Sequence, residues 1–506
     1  MLDIVAILVL CLVGTFYARR KKSLYPLPPG PKGYPVIGNA LDMPKSHEWI
    51  AYEKWVKELG SDIVHAEVLG THIIILNSEK AAKELFERRS SLYSDRPPLV
   101  ALNVLLNFDW TMAFSRYGQR WRNMRRESHR YLHPAATLEF RSIQLKATRQ
   151  LLQRLLEAPK DFMTHIRHMT GQTIFEVAYG IDVQPKNDPY IGSAEESLKA
   201  MTLGCTPGAG IFDTFPFLAK LPTWIPGSSF RKEAEDCAMS APRGLEIPFR
   251  AAKGATVSQD SPYRNIYSSG TLVSSNPIDE WDGNPIYRVT YDPATTHGGG
   301  RCCLVQTASS IETFFLAMVL YPEVQKQAQA EIDRVVGTDR LPDFTDEAAL
   351  PYIGALVKEV FRWHPAVPLA IPHRVVCDDV YDGYFIPAGS VVIGNSWAIL
   401  HDETVFPEPG RFKPERFLTA DSKPNGAPFP DAVFGFGRRI CPGRYMAREA
   451  VWIAVVSVLA RFNISKALDE DGNEVETTDK YASGFISHPL PFQCRIQLRH
   501  AHRPTL

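Results

Sequence analysis

One loop constrains this chain more than any other stretch. Phe434-Gly-Phe-Gly-Arg-Arg-Ile-Cys-Pro-Gly443 sets three glycines around a single cysteine, just ahead of a helix-forming apolar run that begins at Arg444. Glycines let backbone come close to a flat ligand, and amides at a loop-to-helix junction can hydrogen-bond a thiolate and keep it deprotonated. Arg439, two residues before Cys441, adds a cation suited to a carboxylate at the rim of the same ligand. The loop predicts a presented cysteine rather than a buried, inert one.

This loop resembles the cytochrome P-450 family, whose haem-binding pattern F-x-x-G-x-R-x-C-x-G is filled here by Phe434, Gly437, Arg439, Cys441 and Gly443. Three further family motifs stand in order. Glu359-Val-Phe-Arg362 matches E-x-x-R and puts an acid and an arginine on one helical face, Pro414-Glu-Arg-Phe417 supplies Arg416 to complete a charge network, and Trp121-Arg-Asn-Met-Arg125 matches W-x-x-x-R, with indole and guanidinium side by side. The resemblance implies haem b held by Cys441 as axial ligand, with Trp121, Arg125, Arg439 and His373 seating its propionates. Arg374, beside His373, is the lesser candidate. Within the family the chain is most similar to fungal microsomal hydroxylases of secondary metabolism, such as O-methylsterigmatocystin oxidoreductase. The resemblance also implies electrons from NADPH through a reductase docked on the proximal face, where Arg116, Arg120, Arg122, Arg126 and Arg130 make a basic stretch; a solvated face explains those residues equally well.

The remaining pattern predicts a mainly α protein with small β-sheets (α+β), the cytochrome P-450 fold behind an N-terminal membrane anchor. A strand pair turns near Gly70 within residues 63–76, and Ser78 caps a helix. Helices are expected over 118–130, 137–156, 161–179, 322–336, 350–363 and 444–462, with short strands in 371–376, 390–393 and 485–498. Residues 1–18 are apolar except for Asp3 and run into Arg19-Arg20-Lys21-Lys22, so 1–22 reads as a spanning anchor that leaves the body in the cytosol at the endoplasmic reticulum. A cleaved signal peptide would carry its charge before the apolar run. Residues 23–40 form a proline-rich hinge, either a stiff spacer or an ordered loop, and 41–506 the catalytic domain. The aromatic stretch 210–227 suits a bilayer surface, a ligand channel or simple core packing.

The family pattern breaks on the central helix, where an acid and a threonine relay protons to oxygen. Register from Ile311-Glu-Thr-Phe-Phe315 puts the acid at Val305, the key threonine at Gln306 and the second threonine at Thr307, which leaves Thr307 as the one surviving candidate. Pro293 and Gly298-Gly299-Gly300 fall where that helix should run, at a cost of about 3 kcal/mol for an interior proline and about 1 for each glycine. The sequence therefore predicts no helix over 286–306 and an irregular segment from 251. Two accounts fit: a variant that has lost its relay, or residues 254–306 translated from an unspliced intron or shifted frame.

Lys+Arg 56 against Asp+Glu 56 excludes the basic footprint of a nucleic-acid binder, and the eight cysteines are too scattered for a disulfide framework. The resulting expectation is a monooxygenase that inserts one oxygen atom from dioxygen into an apolar organic substrate. Substrate contacts are expected from residues 97–110, 210–227, 367–371 and 483–488. Two alternatives are a membrane-anchored haem-binding pseudoenzyme and a thiolate-haem isomerase or dehydratase.

Overall fold

The expected hairpin forms as β1 (Ile63–Val68) and β2 (Thr71–Leu76), turning at Leu69 and Gly70, which both take positive φ. The computed structural model describes residues 23–206, 209–222, 229–257 and 293–499, of which 253–257 and 293–305 are described by backbone alone. These residues divide into two units. One takes in the described part of Met1–Pro98 with Leu369–Asp402 and Gly435–Ile440, the other Leu99–Pro368, Glu403–Phe434 and the described part of Cys441–Leu506.

In the first unit α1 (Glu48–Leu59) buries Trp49 and Tyr52. Strands β3 (His373–Arg374), β4 (Asp379–Tyr381), β5 (Tyr384–Ile386) and β6 (Val391–Gly394) follow. The sheet runs β1-β2-β6-β3, with β6 parallel to β2 and antiparallel to β3, while β4 and β5 pair as a separate hairpin. Ile63, Val64, Ile74 and Ile75 are fully buried, as β-branched residues on a packed sheet should be. The proline-rich segment is fastened to this unit. The Pro29 carbonyl accepts from His65 N–H at 2.9 Å and the Pro26 carbonyl from Phe385 N–H at 2.7 Å.

The second unit holds the helices α2 (Gln119–Leu132), α3 (Arg141–Glu157), α4 (Phe162–Tyr179), α5 (Pro189–Gly204), α6 (Ser229–Cys237), α7 (Ser240–Val257), α8 (Pro293–Leu320), α9 (Pro322–Val335), α10 (Pro351–Trp363) and α11 (Arg444–Arg461). Antiparallel β7 (Phe462–Lys466) and β8 (Cys494–Leu498) complete it. Only this last part of the strand expected over 485–498 forms. Local chemistry sets the helix ends: Asp188 accepts from Tyr190 and Ile191 N–H to start α5, and the Glu331 carboxylate accepts from Tyr352 and Ile353 N–H to start α10. The core runs along α8 and α11, where Ile311, Phe314, Phe315, Leu316, Val451, Ile453 and Val455 are fully buried.

The central helix corrects the sequence expectation. α8 is continuous from Pro293 to Leu320, and α7 carries helix to Val257. Pro293 stands at the first helical position, where the missing N–H is no loss, so the penalty for an interior proline does not arise. The three glycines still cost about 3 kcal/mol together. Residues 258–292 of the segment expected to be irregular lie outside the described residues, as does the expected anchor, 1–22. Among the described residues no helix is long and apolar enough to cross a membrane.

Candidate functional site

The cysteine loop brings Cys441 to within three residues of α11, and Gly443 caps that helix. Cys441 N–H donates to the Phe434 carbonyl at 2.9 Å, and Phe434 is buried against Phe361 and Phe429. Arg444 reaches back to the Cys441 carbonyl at 3.2 Å. From α2, Arg125 stands beside Cys441. Burial pulls its guanidinium below the ordinary value, the cysteine sulfur as thiolate draws it back up, and Arg444 repels it. Trp121, one turn earlier on α2, is buried with Met112 and Met124, its ring 5.0 Å from that of Tyr117. The second unit thus supplies a cysteine with the Arg125 guanidinium beside it, a cation that favours the thiolate.

The first unit gathers Arg439, Arg96 and His373, each at least nine-tenths buried. Arg439 Nε donates to the Ser94 carbonyl at 2.8 Å, and an Arg96 terminal nitrogen to the carbonyls of Ile371 and Pro372 at 2.6 and 2.8 Å. His373 Nδ1 donates to the Tyr93 carbonyl at 2.7 Å, with its ring tilted against that of Phe86 at a centroid distance of 4.1 Å. Burial first, then the charges of Arg96 and Arg439, push the imidazole far below its usual pKa. A neutral His373 that spends its one proton on Tyr93 has none to offer an anion. The donors are Arg96 and Arg439, and His373 joins them only as imidazolium, which a carboxylate between the guanidiniums would favour. Arg374 stands apart from this group, paired with Asp95 at 3.4 Å and one-third exposed.

Sequence reasoning missed Arg96. Its signal, a lone Ser-Asp-Arg before Pro97-Pro98, carries no periodicity and gains meaning only from carbonyls 275 residues away.

Gly437 has a different reason from the one expected. Its φ is 54° and a Cβ there would stand 1.9 Å from the Phe86 carbonyl, so it admits the protein's own backbone.

Glu359, Arg362 and Arg416 come together as the motifs suggested. Arg362 grips Glu359 through two bonds of 2.7 and 2.8 Å, with both side chains fully buried, and Arg416 Nε adds a third at 3.1 Å. The spare donors go to carbonyls of the loop before Pro414: Arg362 to Pro409 at 2.8 Å and Arg416 to Pro407 at 2.9 Å. The network pins that loop to α10.

A cavity of about 560 Å³ opens inside the second unit. Phe108, Trp110, Phe114 and Phe175 give it an aromatic wall, and Ala308, Ser309 and Glu312 present one face of α8. Segments 97–110 and 483–488 contribute as expected, through Trp110 and Ile486 among others. Among the described residues 210–227 and 367–371 do not line it, and α4 and α5 supply wall that the sequence did not predict. Phe212 instead packs into the core beside Val100 and Ala209, while Phe217 is 60% exposed. Thr307, buried next to Ala308 on α8, is not among the lining residues. Inside the cavity Arg167 pairs with Glu312 at 3.2 Å, and burial raises the Glu312 carboxyl to about 7 against that attraction.

The family model of cytochrome P450 matches residues 28–239 and 305–496. The chain belongs to the cytochrome P450 family. A cytochrome P450 monooxygenase of Armillaria gallica is 40% identical over 499 residues, spanning 98% of this chain and 96% of that one. One from Rhodocybe pseudopiperita is 40% identical over 488 residues (95% and 91%), and a tryptamine 4-monooxygenase of Psilocybe cyanescens is 38% identical over 502 (97% of each). With these fungal relatives, this P450 is an oxidoreductase of the monooxygenase kind. The interruption of the family match, 240–304, covers most of the segment where the sequence loses the family pattern, while Val305 and Gln306 fall just inside the resumed match.

Proposed function

We propose that this P450 is a haem-thiolate monooxygenase of secondary metabolism that inserts one oxygen atom from dioxygen into an apolar substrate, with electrons from NADPH through a reductase. The observation that carries the reading is Cys441 held at the start of α11 beside Arg125 and Arg444. The residues present suit haem: Cys441 offers a sulfur for iron beside the Arg125 guanidinium, and buried arginines suit carboxylates. Cys441 would hold the iron through its sulfur, Arg125, Trp121, Arg439, Arg96 and an imidazolium His373 would hold the propionates, and Phe434, Gly437 and Gly443 shape the loop. When bound, haem supplies the redox chemistry that activates dioxygen. The chain's own part is positional. The aromatic wall holds the substrate and excludes water, and the hydroxyl of Thr307 is the surviving group able to hold a proton on the relay stretch of α8. Residues 1–22 would anchor the protein in the endoplasmic reticulum membrane, with the catalytic part in the cytosol and the basic α2 facing the reductase. The test is turnover with NADPH, dioxygen and a fungal reductase over a panel of apolar compounds, where product bearing one added oxygen supports the reading.

A second reading is a haem-binding protein without turnover, favoured by Val305 and Gln306 at the relay positions. Haem binding with no product from the panel would select it. Activity on lipid hydroperoxides without NADPH would select the isomerase or dehydratase instead.

A further inference from the structure

Among the described residues the cavity wall is mostly apolar, and a buried carboxylate paired with an arginine stands out in it. Arg167 lies on the same face of α4 as Gly171 and Phe175, and its Nε donates to Glu312 across the cavity floor. The two partners are unequally presented: 47% of the Arg167 side chain is open, against 2% of Glu312. Among the described residues the terminal nitrogens of Arg167 have no hydrogen-bond partner. Burial first, then the Arg167 charge, pull the imidazole of His488, also in the wall, below its ordinary pKa. Glu195 and Lys199 line the cavity too, but both are exposed and lie one turn apart on α5 with opposite charges.

We propose that the cavity selects an apolar ring system bearing a carboxylate, which the terminal nitrogens of Arg167 bind while Nε keeps Glu312. The inference rests on the reading of this cavity as the substrate site. A guanidinium has five donors in a fixed fork, enough to serve two carboxylates from two edges. An ammonium would have to reach Glu312, which lies behind Arg167 with almost no open surface. The arriving carboxylate meets little opposition from Glu312, whose raised pKa lets it take up a proton when a second negative charge approaches. The rings of Phe108, Trp110, Phe114 and Phe175 then cover the rest of the ligand.

The full-length protein should be titrated with phenanthrene-9-carboxylate, its methyl ester and 9-(aminomethyl)phenanthrene, read by calorimetry and by quenching of tryptophan fluorescence, to which Trp110 contributes. The expected result is binding of the acid at least about tenfold tighter than the ester, with the amine weakest. Arg167→Gln should erase the acid's advantage and leave ester affinity within about twofold, which shows that the cavity still folds. Glu312→Gln should keep the preference for the acid. Equal binding of acid and ester, tightest binding of the amine, or an acid preference that survives Arg167→Gln overturns the proposal and leaves the monooxygenase reading intact. Binding of none of the three, in protein whose haem spectrum is normal, overturns both the proposal and the assignment of this cavity as the substrate site.

Discussion

Arg362 Nε donates to Glu359 Oε2 at 2.7 Å across one turn of α10, with neither side chain exposed. Glu359 is the one acid of a triad whose other members, Arg362 and Arg416, are cations. Removing it strands two guanidiniums in a buried place, which costs about 3–5 kcal/mol. Glu359→Ala should therefore lower the thermal midpoint far more than Arg416→Lys, which keeps the charge at the rim of the triad. Differential scanning calorimetry of the two variants checks the order.

Gly435 and Gly437 both take positive φ, yet they differ in what surrounds them. A methyl group at Gly437 would run into the Phe86 carbonyl, whereas one at Gly435 meets open space. Gly435→Ala should cost about 1 kcal/mol from conformation alone, while Gly437→Ala must also displace backbone. The expected outcome is well-folded Gly435→Ala protein and Gly437→Ala protein that unfolds at markedly lower denaturant.

Glu312 gives the fold a pH signature. Its folded pKa of about 7 lies above the ordinary 4.5, so the folded state keeps a proton that the unfolded chain releases. Stability is greatest below 4.5, falls as pH rises towards 7 and levels off above it. Glu312→Gln removes the titration, at a value on the order of 3 kcal/mol. The variant should gain on the wild type in urea midpoint between about pH 5 and about pH 8, and a constant difference across that range would contradict the assignment.

Patterns that depend on neighbours in sequence were readable; those that depend on distant partners were not. The hairpin at 63–76, the Ser78 cap and helices α2, α4, α9, α10 and α11 follow from period and capping within one residue window, and so do Cys441 and the pair Glu359 and Arg362. Helix α8 is hidden in the sequence because a proline inside a helix and a proline at its first residue look the same until the boundary at Pro293 is known. Helix α5 lacks a strong apolar stripe, α6 is only nine residues long, and α7 carries Pro248 inside it. Arg96 joined the site only because Ile371 and Pro372 offer it their carbonyls.

Arg125 is the cation beside the cysteine, and its value is electrostatic. Arg125→Gln should weaken haem retention in gel filtration, and Arg125→Lys should restore part of it, since a lysine keeps the charge but loses the fork. Equal retention by all three proteins would mean that Arg125 serves packing alone.

The central claim is that Cys441 is the sulfur ligand of a haem iron. The direct measurement is the absorption spectrum of the reduced protein under carbon monoxide, for the wild type and for Cys441→His. The account predicts the long-wavelength Soret band of a thiolate-ligated haem in the wild type, and its replacement by an imidazole-type band or loss of haem in the variant. A thiolate-type band that persists in Cys441→His, or a haem-loaded wild type without one, would contradict it.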